Sequence, residues 1–162
     1  MEDAYGHHNT LVWQARHGME PTQRGVQAIG KSGQAPPLAD YTPGGNDLAS
    51  VPLKQLIAMI QKDMKLYSLM FPETCLIWSD ILPRATYRGA RSNAKVEKAR
   101  KCLNNAMKIF MPQIAGHIIQ HGNIQWDAHH LYRRDGVHMN NDGNDVLLTN
   151  MTNAMAKIMA LR

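Results

Sequence analysis

Asp135-Gly136-Val137-His138 is the stretch of this chain whose residue types and spacing best fit chemistry. A carboxylate three residues before an imidazole, across a glycine turn, can set Asp and His side by side. Such a pair serves as orienter and general base. The carboxylate holds the proton of one ring nitrogen and leaves the other free to accept one. A base of this kind needs two further partners, a nucleophile and donors for a developing oxyanion. The same residues also make a plain hydrogen-bonded turn ahead of a helix, so the rest of the chain has to decide between the two.

The elements that must position this turn are legible around it. Val146, Leu147, Met151, Met155 and Ile158 recur at helical spacing after it, and Asn141 or Asp142 can cap that helix. Upstream, Leu53, Leu56, Ile57, Ile60, Met64 and Tyr67 predict another helix. Asp47 or Ser50 can cap it, Pro52 fits its first turn, and Pro72 ends it. Residues 75–82 form a short apolar run that reads as a buried strand, stopped by Pro83. A second helix is predicted from about Ser92 to Met111, with Val96, Ala99, Leu103, Met107 and Phe110 on one face and Glu97 four residues before Lys101. His117–Ile119 or Asn123–Gln125 can supply a second short strand. Helix, strand, helix, strand, helix is the rhythm of an α/β sheet with parallel strands. The front is less regular. Leu11 to Arg16 reads as the opening of a short helix. Residues 25–47 are dense in Gly and Pro, and within them only Val26 to Ile29 extends.

Composition narrows the function classes. A chain of 162 residues is expected to form a single domain, and 44% hydrophobic residues argue against disorder. The Cys count of 2 provides no disulfide framework, which suits a reducing, intracellular setting. No apolar run approaches the roughly 18 residues of a membrane span, and the polar start Met1-Glu2-Asp3 does not read as a signal peptide. The net charge is +5, and the Lys and Arg cluster between Arg84 and Lys101. Such a run reads first as a solvated helix face. Without interleaved aromatics, nucleic acid is not the expected partner. His117 and His121 stand four apart, but Gly116 and Gly122 flank them and no Cys or carboxylate completes a ligand set, so neither a metal nor another cofactor is expected. Trp78 and the methionines read as core. Arg133 and Arg134 read as a solvated lip of the Asp135 turn, or as holders of an acidic substrate group.

Three blocks line up in order: Gly44-Gly45-Asn46-Asp47, Ile77-Trp78-Ser79-Asp80-Ile81-Leu82-Pro83-Arg84, and Asp135-Gly136-Val137-His138. Together they resemble the SGNH (GDSL-type) hydrolases, and within them an SGNH-like group of vertebrate genomes with a tryptophan-serine strand and an ending like Leu131-Tyr-Arg-Arg-Asp-Gly-Val-His138. The resemblance runs from about Gly44 to Leu148. Residues 1–43 are divergent and 44–162 hold the matching part of one domain. It implies a flavodoxin-like, three-layer α/β fold around a parallel sheet, and a small ester as substrate. It implies His138 as general base and Asp135 as its orienter. It also implies Asn46 as a side-chain donor to the oxyanion, joined by a backbone N–H from Gly33. Fixed donors at a developing oxyanion are each worth about 3 kcal/mol.

The front departs from the family pattern. A strand ending in Gly-Asp-Ser or Gly-His-Ser is expected there, and the nearest equivalent is Tyr5-Gly6-His7-His8-Asn9, so His8 stands where the nucleophilic Ser belongs. Between Gly33 and Asn46 there is too little chain for a helix and a central strand. Asp40 and Pro43 also argue against a buried strand there. Ser32, Ser79, Cys75 and Cys102 are the other possible nucleophiles. Ser32 adjoins the oxyanion glycine, and the other three fall on a strand or a helix where burial is the ordinary expectation. The expected protein is therefore an SGNH-type hydrolase homologue, truncated or eroded at its N-terminal strands and impaired in catalysis. The alternatives are a binding module using the basic 84–101 surface and an active esterase with an unrecognised nucleophile. An eroded front would also leave the strand around Ile77 with an exposed edge, and hence marginal stability or association.

Overall fold

The computed structural model describes residues 10–14, 27–29, 47–87 and 90–160, the first two stretches through their backbone. His8, Gly33, Gly44, Gly45 and Asn46 lie outside the described residues. A four-stranded sheet carries the fold. Its strands are β1 (Thr10–Gln14), β2 (Gln27–Ile29), β3 (Cys75–Ser79) and β4 (His117–Ile119), in the spatial order β2-β1-β3-β4. The pairs β1–β3 and β3–β4 are parallel, and β2 runs antiparallel on β1. The helices are α1 (Leu53–Met70), α2 (Asn93–Phe110) and α3 (Asn141–Ala160).

β1 replaces the helix start expected at Leu11. Thr-Leu-Val-Trp-Gln is rich in β-branched and aromatic residues. Its register sets Leu11 against Leu76 and Trp13 against Trp78, so pairing with the central strand outweighs any local helical tendency. β3 therefore has a neighbour on each side, and the exposed edge expected at Ile77 is absent. β2, at the weakly extended stretch, and β4, at the first of the two alternatives, stand where the sequence places strands.

Side chains alternate across β3 because the strand period is two. Leu76 and Trp78 join Leu56, Ile60, Met64, Leu103 and Met107 in a core shared with α1 and α2. Cys75 and Ile77 turn to the other face and meet Ile119, Ile158, Met151 and Met155, most of them from α3. Helices thus cover both faces of β3. Leu56 and Leu103 are fully buried, so truncating either to Ala would cost about 2–5 kcal/mol.

The helix starts show how local chemistry sets boundaries. Pro52 itself is the N-cap of α1, with no side-chain capping bond, and its carbonyl accepts from Leu56 N. Asp47 opens a separate 3-10 turn instead of capping α1. Ser92, where the sequence places the start of the second helix, is the N-cap of α2, its Oγ accepting from Lys95 N. α3 is capped one residue earlier than predicted: Asn140 Oδ1 accepts from Gly143 N at 2.9 Å. A side chain at Gly143 would collide with the Leu131 carbonyl, so this helix can start against the 129–131 turn only with glycine there.

The run from Arg84 to Lys101 is not wholly the solvated face its composition suggests. Arg84 is buried and lies over the Tyr87 ring, 5.9 Å from its centroid. Arg100 forms a two-pronged ion pair with Glu97, at 2.8 and 2.7 Å, and donates to the Ile81 carbonyl at 2.7 Å. Glu97 also accepts from Tyr87 Oη at 3.0 Å. Burial alone would raise the Glu97 pKa, but the bonds from Arg100 and Tyr87 outweigh it and the carboxylate is held low. The expected Glu97–Lys101 pair is the weaker contact, 3.9 Å with Lys101 mostly exposed. The basic run is thus split between Arg84 and Arg100, which are drawn inward, and Arg91 and the lysines, which are exposed.

Candidate active site

The Asp135 turn is the tip of a short hairpin. Tyr132 and Met139 face each other as an antiparallel bridge, Arg133 N donates to His138 O at 2.8 Å, and Asn140 N donates to Leu131 O at 3.0 Å. Gly136 has φ +65°, the left-handed region that a β-carbon disfavours, and its N–H closes the turn onto Arg133 O at 2.9 Å. The hairpin is anchored from beneath. Tyr132 Oη donates to Pro83 O at 2.9 Å, and Thr86 N donates to Gly136 O at 3.1 Å. Leu82, Ile124, Leu131, Tyr132 and Met139 pack under it with Val146 and Leu147 of α3. The strand end, the 83–86 loop and the start of α3 together fix the turn.

Asp135 and His138 then meet as the spacing predicts. His138 Nδ1 lies 2.6 Å from Asp135 Oδ2. The other carboxylate oxygen accepts from Val137 N at 2.9 Å and His138 N at 3.0 Å. The His138 side-chain bond and the two backbone N–H groups hold the Asp135 carboxyl well below the usual carboxylate range. An ionised carboxylate only accepts, so Nδ1 carries a proton, and in the neutral ring the lone pair is then on Nε2. The arrangement can serve as a base and its orienter, with the ring about a third exposed. No Ser hydroxyl or Cys thiol among the described residues hydrogen-bonds this imidazole.

A second histidine, absent from the expected site, is bonded to a serine. His121 Nε2 lies 2.8 Å from Ser79 Oγ, both residues buried. Its Nδ1 faces Asn150 Nδ2 at 3.3 Å. Asn150 and Asn123 exchange amide bonds at 2.6 and 3.2 Å, which fixes the Asn150 NH2 toward the ring. Nδ1 is therefore the acceptor, and Nε2–H donates to Ser79. This is the wrong tautomer for a base acting on that serine, and Ser79 has no exposed surface to meet a substrate. Ser79 is a core hydroxyl, as its strand position predicts. Burial lowers the His121 pKa from 6.5 to about 4, which keeps the ring neutral. The signal for this pair is register. Ser79 aligns with Ile119 across the parallel strands, so His121 follows two residues beyond.

The other candidates sort by environment. Cys75 is buried as expected, but Cys102 is exposed on α2. His117 belongs to β4 while His121 is engaged with Ser79, and no group of three or more metal-ligating side chains occurs among the described residues. A polar cleft of about 400 Å³ opens past the ends of β3 and β4, lined by Asp80, Lys101, Asn104, Gln120 and His121 among others. Burial raises the Asp80 carboxyl from 3.8 to about 6, against the pull of Arg100 and Lys108. No residue of the Asp135 turn lines this cleft.

No protein-family profile matches the chain, and no curated protein matches it by sequence. Solved structures do. The esterase domain of the ZfL2-1 ORF1 protein from the zebrafish ZfL2-1 retrotransposon superposes with a TM-score of 0.55 at 23% identity, over 70% of this chain and 65% of that one. A Streptococcus pneumonia protein provisionally described as a platelet activating factor gives 0.54 at 18% identity, over 68% of this chain and 55% of that one. The fold is hydrolase-like. The chain spans about 65% and 55% of the lengths of those two structures. The small sheet with its parallel core pairs and its helices agrees with that fold. No helix among the described residues is long and apolar enough to cross a membrane.

Proposed function

We propose that this chain is an SGNH-type ester hydrolase homologue of three-layer architecture that keeps its base and orienter and has lost its serine. The observation that carries the reading is the 2.6 Å bond from His138 Nδ1 to Asp135 Oδ2, with no hydrogen bond to Nε2 among the described residues. In this reading Nε2 of His138 takes the proton of an attacking group and Asp135 stabilises the imidazolium that forms. Asn46 and Gly33 donate to the tetrahedral oxyanion, and His8 occupies the place of the nucleophile. An ester is the substrate class, in keeping with the esterase name of the zebrafish neighbour. Without a hydroxyl at position 8, the acyl-enzyme route is closed and turnover is impaired.

Hydrolysis of p-nitrophenyl acetate tests the reading. The expected wild-type rate stays within a few-fold of buffer and does not change in His138→Ala, while His8→Ser raises it in a His138-dependent way. Robust wild-type turnover that disappears in His138→Ala would replace this reading with an active esterase whose nucleophile lies elsewhere. One observation favours a second role. Lys95, Lys98, Lys101 and Lys108 are all exposed along α2, a surface suited to a polyanion. Binding to such a partner would weaken steeply with salt.

A further inference from the structure

Arg133 is the residue whose place the base–orienter pair leaves unexplained. Tyr132 and Met139 form the bridged pair of the hairpin, and both are buried, at 6% and 7% exposure. Side chains alternate along each arm, so the next pair out, Arg133 and His138, turns to the opposite, solvent-facing side. The Arg133 N–H to His138 O bond sets these two residues directly across from each other. Cross-strand neighbours in this geometry have β-carbons about 5 Å apart. Arg133 is exposed and His138 about a third exposed, as this alternation requires. The guanidinium makes no ion pair or hydrogen bond among the described residues. The Asp135 carboxylate two residues on is bonded to His138. Arg134, one residue further, is also exposed but lies in the turn itself, beyond the paired residues.

We infer that Arg133 is a substrate-binding residue, and that the His138 site takes esters carrying a carboxylate or phosphate group. A guanidinium offers paired donors that match either oxyanion in bidentate fashion. Placed beside the imidazole, it would hold the anionic end of a ligand while the ester carbonyl lies over Nε2. This inference rests on the reading of His138 and Asp135 as a hydrolase pair, because it names the ligand of the same site.

The test separates the two. Monomethyl succinate and its neutral counterpart dimethyl succinate are titrated into the full chain, with the His138 ring resonances followed by NMR. Wild-type protein, Arg133→Gln and Arg134→Gln are compared. The expected result is a half-ester affinity about tenfold or more above that of the diester, as charge-assisted bonds to a guanidinium imply. The preference should fall to near unity in Arg133→Gln and survive in Arg134→Gln. Equal affinities in the wild type, no binding of either ester, or a preference that persists in Arg133→Gln would each overturn the inference. Half-ester binding without hydrolysis leaves the inference standing and counts only against turnover. Hydrolysis of both esters at equal rates sinks the inference and, if it disappears in His138→Ala, also replaces the impaired reading with an active esterase.

Discussion

His138 and His121 are the same residue type in opposite settings. His138 is about a third exposed, faces a carboxylate and has no hydrogen bond at Nε2 among the described residues. His121 is buried, faces an amide NH2 and spends its Nε2 proton on Ser79. The partner at Nδ1 decides the tautomer, and the tautomer decides whether the ring can act as a base. A serine beside a histidine is therefore not a nucleophile beside a base. In this chain the serine–histidine contact ties α3 and β4 to the central strand, and the histidine suited to chemistry stands apart from it.

The largest effect that can break this contrast is on stability. His121→Ala removes a buried ring and leaves Ser79 Oγ without a partner inside the core. Cavity and lost bond together should cost about 3–5 kcal/mol in urea unfolding. Adding Ser79→Ala to that variant should recover part of the loss, because no hydroxyl is then stranded. Equal stability of His121→Ala and wild type would mean that this histidine is not structural.

Acid titration gives the next effect, and its sign can be worked out. The folded His121 pKa is depressed from 6.5 to about 4, so between those values the unfolded chain binds the extra proton. Stability from this group is complete above pH 6.5 and is lost as pH falls toward 4, about 3 kcal/mol in all. Asp80 works the other way. Its folded pKa is raised from 3.8 to about 6, so the native state keeps a proton that the unfolded chain gives up, and stability falls as pH rises through that window. The two slopes oppose each other, and the wild-type profile between pH 4 and 6 should be shallow. Asp80→Asn should steepen the rise with pH and add about 1 kcal/mol at neutral pH, after discounting for its partial exposure to solvent. Urea midpoints at pH 4.5 and 7.5 check both claims. A profile unchanged by Asp80→Asn would remove the raised carboxyl from the account.

What the sequence shows and what it hides follow the same contrast. Asp135 and His138 are three residues apart, so the turn between them is local chemistry and can be read directly. The helices and β3 are equally legible, because apolar spacing and proline stops are local signals. Ser79 and His121 are 42 residues apart and meet only because β3 and β4 pair in one register. β1 is hidden for the same reason, since its partner β3 lies some sixty residues on and five residues carry little periodicity of their own. Arg84 and Arg100 were expected on a solvated face, yet a tyrosine ring, a glutamate and a backbone carbonyl draw them inward. Charge in a sequence marks where a cation is, but the partners that bury it come from the fold.

The smallest expected effect is the one that sharpens the comparison most. His138→Ala should leave the urea midpoint at neutral pH where the wild type has it. The ring is about a third exposed, and Asp135 Oδ1 keeps its bonds from Val137 N and from the N–H of residue 138. The turn is held by the backbone, by Gly136 and by the Tyr132 anchor on Pro83, none of which needs an imidazole. A histidine that can be removed without cost to the fold, from a turn so firmly built around it, is positioned for something other than stability. A destabilisation as large as that of His121→Ala would instead make His138 a structural member of its turn, and the distinction between the two histidines would fall.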